Sequence, residues 1–156
     1  MPNLLRCLKK THILTHMQAR NKAGGIRELA SLLEGGPELS NFRQFLSALF
    51  QKEARFQTAV EKGVALPHYR DRTVLEPVVA LGISKPGIGW EKGKRVHILV
   101  LIGWPDRHDE AYLRIVAEIA RLLHQEAIRE ALQGAETPDE VLDILSGEDV
   151  PKAATS

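Results

Sequence analysis

The chain has 156 residues, enough for a single domain that buries its own core without disulfide or metal support. Its formal net charge is +1 and 26% of its residues are charged, which argues against binding nucleic acid or anionic membranes through a broad electrostatic field. No apolar run approaches the length of a membrane span, and the single cysteine, Cys7, has no partner for an internal disulfide, which fits a cytoplasmic protein with Cys7 packed inside.

The first forty residues predict a strand followed by a helix. Residues 11–17 alternate in polarity, which is typical of a short strand. His12 and His16 lie within this stretch, but no carboxylate or cysteine set completes a metal site, so no metal is expected there. Asn21 is a candidate N-cap for a helix that the Gly-Gly-Pro sequence at residues 35–37 ends. The apolar stripe of this helix consists of Ile26, Leu29, Ala30, Leu32 and Leu33.

A second helix is predicted directly afterwards, with Ser40 as its N-cap and an end near Lys52 and Glu53. Its apolar residues follow helical spacing, and we expect them to be core rather than a ligand-binding set. They are Phe42, Phe45, Leu46, Leu49 and Phe50. Residues 54–62 are predicted to form a loop.

The next segment is a conformationally restricted stretch of chain that ends in a histidine. Gly63 permits a turn, Pro67 restricts its own φ, and the clash with Pro67 favours extended geometry at Leu66. The backbone therefore restricts the direction in which the His68 side chain points. Imidazole can accept an acyl or phosphoryl group near neutral pH, although a histidine that merely ends a loop is the alternative.

Two strands are predicted after the polar connection that carries Arg70. They cover residues 78–84 and 96–102, and the second is a β-branched run typical of a central strand buried on both faces. His97 is expected at an edge or end of that strand. The glycines within residues 86–90 predict a turn, not a nucleotide-binding fingerprint.

The remaining chain predicts helices. Residues 103–109 are expected to break the second strand and lead into a helix with a broad apolar face. That face consists of Tyr112, Ile115, Val116, Ile119, Leu122 and Leu123. A helical run at residues 127–132 is broken by Gly134, and Thr137 with Glu140 forms a capping box for the last helix. The polar tail, residues 147–156, is predicted to be disordered.

The stretch Gly63-Val64-Ala65-Leu66-Pro67-His68 resembles the phosphorylation-site signature of enzyme IIA domains of the bacterial phosphotransferase system, fructose/mannitol type. The nitrogen-regulatory form is the nearest match. The resemblance includes Lys52, Glu53 and Thr58 and runs from about residue 46 to residue 145. It implies an α/β fold with a mixed sheet of about five strands flanked by helices, formed by residues 1–146, and a phosphohistidine mechanism.

The resemblance also implies roles for individual side chains. His68 would be the phosphoryl acceptor, and Lys52 would supply a cation. The Thr58 hydroxyl would donate to a phosphoryl oxygen or to the second ring nitrogen of His68. Possible auxiliary residues are Tyr112, His108 and Arg70. Solvated side chains without a role are the alternative for the exposed charges.

Three positions depart from the family pattern. Lys52 stands where the family usually has arginine, which removes a planar two-pronged phosphate contact. Glu61 replaces a glycine, and its carboxylate would oppose a nearby phosphoryl group. Tyr112 replaces a second histidine, and its hydroxyl can supply only one hydrogen bond.

Two functions follow from the resemblance. In the first, His68 receives a phosphoryl group from a phosphohistidine carrier protein and passes it to an enzyme IIB or a downstream regulatory protein. In the second, the domain is a binding module that regulates a transporter, kinase or transcription factor, and its phosphorylation is weakened or lost. The chain is a phosphotransferase only in the first case. We expect no cofactor and no nucleic acid partner, and we expect a free-standing regulator because no transporter segment is seen.

Overall fold

The structure is a computed structural model that describes residues 4–147. Its helices are α1 (Leu4–Cys7), α2 (Lys22–Ala30), α3 (Phe42–Phe56), α4 (Glu110–His124), α5 (Glu126–Gln133) and α6 (Pro138–Ser146). Its strands are β1 (Leu8–Leu14), β2 (Val60–Glu61), β3 (Val64–Ala65), β4 (His68–Asp71), β5 (Val78–Gly89) and β6 (Arg95–Pro105). The predicted disordered tail lies outside the described residues except for Gly147, and the domain boundary at residue 146 stays a prediction.

The strands form one mixed sheet in the order β1-β5-β6-β3-β2, with β4 also paired to β6. β5 and β6 run antiparallel, whereas β1 is parallel to β5, and β3 and β4 are parallel to β6. This arrangement confirms the predicted α/β fold with a mixed sheet. The expected count of about five strands is close to the six that the described residues contain.

The sixth strand arises because one sheet position is divided in two. β3 pairs with Ile98 and Leu99 of β6, and β4 pairs with the same edge of β6 from Ile102 onward. Pro67 separates the two segments and has no N–H to donate to the ladder. Its carbonyl instead accepts from the Ile102 amide at 2.9 Å, so pairing resumes at His68.

Helices cover both faces of this sheet, and each face has its own apolar core. α4, α5 and α6 pack on one face, where the largest fully buried side chains include Ile119 and Leu132. α2 and α3 pack on the other face through residues such as Leu29 and Phe45. Burying a side chain of this size contributes about 1.5–3 kcal/mol, so the strong periodic stripes in the sequence account for the layer arrangement.

The structure confirms two predicted helix caps and corrects a third. Asn21 and Thr137 cap α2 and α6 through their side chains. Ser40 is not the cap of α3. Asn41 fills that position and accepts from the Gln44 amide at 3.0 Å, whereas the Ser40 hydroxyl donates to a backbone carbonyl across the chain. Serine and asparagine are both common N-cap residues, so the sequence alone did not show which of the two adjacent residues caps α3.

Several predicted strand boundaries were also wrong. β1 begins at Leu8 rather than residue 11 and ends at Leu14. β5 continues to Gly89, through most of the region predicted as a turn, with a shift in its register to β6 between Ile83 and Ile88. The chain reverses later, where Trp90 N donates to Lys94 O at 2.8 Å. β6 likewise runs past Gly103 to Pro105, because β4 supplies a pairing partner there.

Two single-residue predictions fall within this framework. Cys7 is half-buried and packs against the core on the α4 side, as predicted. His97 is the third residue of β6, near the start of a central strand, and its Nδ1 lies 3.0 Å from the Ser84 carbonyl oxygen. No helix within residues 4–147 has the length and apolar character needed to cross a bilayer.

Candidate functional site

His68 lies in a cleft of about 720 Å³ between α4 and the chain segment that leads into β3. We call this the His68 cleft. Its lining residues are Phe56, Gln57, Thr58, Ala59, Glu61, Lys62, Val64, Leu66, His68, Tyr69, Tyr112, Leu113, Ala120, Leu123 and His124. Apolar side chains dominate this lining, so the histidine lies at a largely hydrophobic surface.

The His68 ring is exposed and oriented by its own backbone segment. Its Nδ1 lies 2.6 Å from the carbonyl oxygen of Leu66. Because a carbonyl oxygen can only accept, Nδ1 carries the hydrogen, and the lone pair of the neutral ring is on Nε2. In this tautomer Nε2 is the ring nitrogen with the lone pair that a nucleophile needs.

A tight hairpin forms one wall of the cleft. Lys62 and Gly63 join β2 to β3 with positive φ values of 54° and 78°. Two successive residues of positive φ are typical of the hairpin turn that matches strand twist, which explains the glycine and leaves Lys62 in an uncommon conformation. Glu61 is exposed on this hairpin and has no hydrogen bond or ion pair to His68 within residues 4–147.

Thr58 is held by the helix that precedes it. Its amide donates to Glu53 Oε1 at 2.6 Å and its hydroxyl to Glu53 Oε2 at 2.7 Å. Trp90 Nε1 donates to the Thr58 carbonyl at 3.3 Å. The hydroxyl donates to Glu53 in this structure, and its expected donation to a phosphoryl oxygen or to the second ring nitrogen of His68 stays a prediction. Gln57, with φ of 24°, turns the chain from α3 into this position.

Glu53 is a buried carboxylate, 2% exposed, at the centre of a hydrogen-bond network. Besides Thr58, Tyr69 donates its hydroxyl at 2.5 Å and the Lys22 ammonium lies 3.1 Å away. Burial alone raises the pKa of Glu53, but the hydrogen bonds from Tyr69 and Thr58 outweigh it and leave the pKa below its usual value. Burial and the Glu53 bond together raise the pKa of Tyr69.

Lys52 lies near the site in sequence but is bound elsewhere. Its ammonium is 3.1 Å from Asp71 Oδ1 and also donates to the Arg70 carbonyl. Asp71 accepts further from the amide and hydroxyl of Thr73. Burial raises the pKa of Asp71, but these hydrogen bonds outweigh it and hold the pKa low, so the carboxylate stays charged and retains Lys52.

Tyr112 occupies the floor of the cleft beside His68. The two ring centroids are 6.2 Å apart, and Tyr112 also packs against Trp104 at 5.6 Å. The side chain is only 9% exposed, and its hydroxyl has no hydrogen-bond partner among residues 4–147. Burial raises the pKa of this hydroxyl, so it is a neutral donor without a partner of its own.

Arg70 and the start of α4 complete this side of the site. The Arg70 guanidinium lies 5.8 Å from the Tyr112 ring centroid, and its Nη1 donates to the Arg107 carbonyl at 3.1 Å. Asp109 caps α4 by accepting from the Ala111 amide at 2.9 Å. His108 is exposed just before this cap and lies outside the cleft lining.

The two histidines that were considered as metal ligands lie outside the cleft lining. His12 is buried on β1, and His16 is exposed with Nε2 2.9 Å from Glu136 Oε2. Among the described residues, no three potential metal ligands from histidine, cysteine, aspartate and glutamate lie close enough to hold an ion.

Sequence reasoning missed the network around Glu53. Tyr69 was assigned to a polar connection, and Glu53 to a helix end. A usable signal existed, since Glu53 lies four residues after Leu49 and so continues the apolar stripe of α3. A carboxylate on a buried stripe predicts a set of donors around it.

The sequence and fold now define the class of protein. Residues 6–148 match the family described as phosphoenolpyruvate-dependent sugar phosphotransferase system, EIIA 2. Because this match covers most of the chain, the chain belongs to that family. The resemblance drawn from residues 63–68 is confirmed.

Curated relatives carry fructose-specific names. The chain is 27% identical over 144 residues to the fructose-specific EIIABC component of Bacillus subtilis, covering 91% of this chain and 23% of that protein. It is 31% identical over 127 residues to the fructose-specific EIIA component of Haloferax volcanii, covering 80% and 82%. The chain thus spans less than a quarter of the first protein and most of the second.

Solved structures agree on the fold. Nitrogen regulatory protein IIA-Ntr from Neisseria meningitidis has a TM-score of 0.80 and 27% identity, covering 90% of this chain and 97% of that one. The IIA component in a complex of mannitol enzyme IIA with phosphorylated enzyme IIB from Escherichia coli has a TM-score of 0.77 and 20% identity, covering 90% and 99%. The second likeness bears on the fold alone.

Proposed function

We propose that this chain is a phosphohistidine phosphotransfer domain in which Nε2 of His68 accepts a phosphoryl group and passes it to a protein partner. The observation that carries the proposal is the exposed His68 ring in the cleft lining, whose Nδ1 is bound to the Leu66 carbonyl, so that the lone pair is on Nε2. Membership of the EIIA 2 family supports the same chemistry.

The transfer needs no external acid or base. The Nε2 lone pair of His68 forms a bond to phosphorus while the nitrogen–phosphorus bond of the donor phosphohistidine breaks. The bonding electron pair returns to the donor ring nitrogen. His68 keeps the Nδ1 proton that it shares with Leu66, so only the phosphoryl group changes place. Transfer onward to a partner reverses these steps.

The donor is a phosphohistidine carrier protein and the acceptor an enzyme IIB or a regulatory protein. Two exposed apolar side chains at the cleft, Phe56 at 66% and Leu113 at 63% exposure, support protein docking around His68. The Escherichia coli complex of a IIA component with a phosphorylated IIB component supports an enzyme IIB as one class of acceptor. With these partners, the proposal includes a cytoplasmic location for the chain.

Sugar uptake and nitrogen regulation are both compatible with this chemistry. The fructose-specific relatives favour a role in sugar transport. The likeness to the Neisseria meningitidis nitrogen regulatory protein favours regulation. The identity of the acceptor decides between the two.

A second candidate function is a regulatory binding module without phosphotransfer. Two contacts favour it: Lys52 is paired with Asp71, and the Thr58 hydroxyl is donated to Glu53, so neither is free to hold a phosphoryl group. The exposed His68 ring, with its Nδ1 bound to the Leu66 carbonyl, favours the first function instead.

Labelled phosphate separates the two functions. The protein is incubated with a histidine phosphocarrier protein that carries a labelled phosphoryl group, and His68→Ala is the control. Phosphotransfer predicts an acid-labile label on the wild-type protein that the variant lacks. A wild-type protein that stays unlabelled while the carrier remains phosphorylated supports the binding module.

A further inference from the structure

We propose that Arg70, not Lys52, is the cation that binds the phosphoryl group on His68. This inference rests on the proposed phosphotransfer and assigns one part of its chemistry. It moves the cation from the helix before the site, where the family resemblance put it, to the strand that carries the acceptor itself.

The first support is the alternation of side chains along β4. His68 and Arg70 are the first and third residues of this strand and are both exposed, whereas Tyr69 and Asp71 are partly buried. Residues two apart on a strand share a face, and their Cα atoms are about 6.6 Å apart. Arg70 therefore lies on the same face as His68 and within reach of a group bonded to Nε2.

The opposite face of β4 holds Lys52. Tyr69 and Asp71, the second and fourth strand residues, contact Glu53 and Lys52 of α3. The Lys52 ammonium is thus held on this opposite face by the Asp71 carboxylate and by the Arg70 carbonyl. Turning its ammonium toward His68 would leave Asp71 without its cation, which has a cost that Arg70 does not have.

The Arg70 guanidinium is held in position by its contacts, but its charge is not paired with a carboxylate among the described residues. Its guanidinium lies over the Tyr112 ring, 5.8 Å from the centroid, and one nitrogen donates to the Arg107 carbonyl. No carboxylate within residues 4–147 lies at ion-pair distance from the Arg70 guanidinium. Asp109, at the start of α4, pairs with Arg107 instead. The remaining N–H groups of the planar fork are available to an anion.

Tyr112 places the cation and the acceptor side by side. The His68 and Arg70 side chains both approach this one ring, at centroid distances of 6.2 Å and 5.8 Å. As the phosphoryl group moves to Nε2, its equatorial oxygens carry the negative charge, and a guanidinium held beside them stabilises that charge without rearrangement. The tyrosine thus serves as a platform for the arginine.

A small phosphoryl donor tests this role without a protein partner. In phosphoramidate the nitrogen–phosphorus bond breaks as Nε2 of His68 attacks, and the electron pair leaves with ammonia. The rate of labelling of His68 is measured for the wild-type protein and for Arg70→Gln, Arg70→Lys and Lys52→Gln. The same four proteins are then tested with the phosphocarrier protein as donor.

We expect Arg70→Gln to slow labelling by phosphoramidate by about tenfold, since a preorganised charged donor is lost at an exposed site. Arg70→Lys should recover part of the rate because the charge remains while the fork is lost. Lys52→Gln should label at the wild-type rate. Unfolding midpoints of all variants show whether the fold is retained, which the exposure of Arg70 predicts.

Other outcomes overturn the inference in different ways. Equal labelling of wild type and Arg70→Gln, or a loss confined to Lys52→Gln, overturns the role of Arg70 alone. A loss seen with the carrier protein but not with phosphoramidate assigns Arg70 to partner docking and also overturns it. A wild-type protein that neither donor labels overturns the proposed function itself.

Discussion

Tyr69 joins the strand that carries His68 to a buried carboxylate. Its hydroxyl donates to Glu53 at 2.5 Å, and Glu53 is almost fully buried. Because a hydrogen bond to a charged buried group contributes more than a neutral one, Tyr69→Phe should lower the free energy of unfolding by about 2 kcal/mol. Urea unfolding measures this change.

Tyr112→Phe is the matched control for that experiment. It also removes one phenolic hydroxyl near His68, but this hydroxyl has no partner among the described residues. Its loss should change the free energy of unfolding by less than about 0.5 kcal/mol. Equal effects of the two substitutions would contradict the network around Glu53.

Glu53 also predicts how stability depends on pH. Its pKa in the folded protein lies below the ordinary value of 4.5, so its contribution is complete above that value and is lost as the pH falls through the folded pKa. From about pH 5 to about pH 3, the wild-type unfolding free energy should fall more steeply than that of Glu53→Gln. Urea titrations at several pH values test this, and parallel curves would contradict it.

At the scale of single residues, the glycine and the proline that frame His68 indicated a side chain of restricted direction, and the resemblance at residues 63–68 implied its role as phosphoryl acceptor. The sequence did not predict where Lys52 and Thr58 point. Both side chains are polar and near the histidine in sequence, but their partners, Asp71 and Glu53, are chosen by packing between α3 and β4. Such pairings depend on tertiary contacts that local patterns do not contain.

At the scale of elements, the start of α3 yields a direct test. Asn41 accepts from the Gln44 amide, so Asn41→Ala should lower the free energy of unfolding by about 1 kcal/mol. Ser40→Ala is the neighbouring control and should have a smaller effect, because Ser40 makes only a 3.3 Å bond to a carbonyl. Thermal unfolding compares them, and a larger effect at Ser40 would contradict the assigned cap.

Most helices and both long strands were predictable from their apolar periodicity, but their ends were less so. The glycines and proline of residues 86–90 predict a turn, yet β5 continues to Gly89 with a register shift. The β5–β6 pairing on both sides of the register shift keeps this stretch in the sheet. Local turn propensity was outweighed by these long-range hydrogen bonds.

At the scale of the whole molecule, the cleft predicts a docking surface. Leu113 is 63% exposed at its margin, and Leu113→Glu should raise the KM for the phosphocarrier donor by about tenfold by placing a charge in an apolar contact. Leu75→Glu is the control, since Leu75 is 56% exposed but lies outside the cleft lining. Transfer kinetics measure both, and equal effects would contradict docking at the cleft.

The layered arrangement of the whole chain was predictable, but the order of its strands was not. Amphipathic helices and an apolar central strand require a covered sheet. The division of one sheet position into β3 and β4 depends on a single proline, and only the pairing with β6 shows that the chain resumes the sheet at His68. That break places His68 at the first residue of a strand.

The position of the phosphoryl group on the His68 ring tests the account most directly. The protein with ¹⁵N-labelled histidine is phosphorylated, and the coupling between phosphorus and the ring nitrogens is recorded by NMR. Since Nδ1 is bound to the Leu66 carbonyl, the account predicts coupling to Nε2 of His68. Coupling to Nδ1, or to a different histidine, would contradict it.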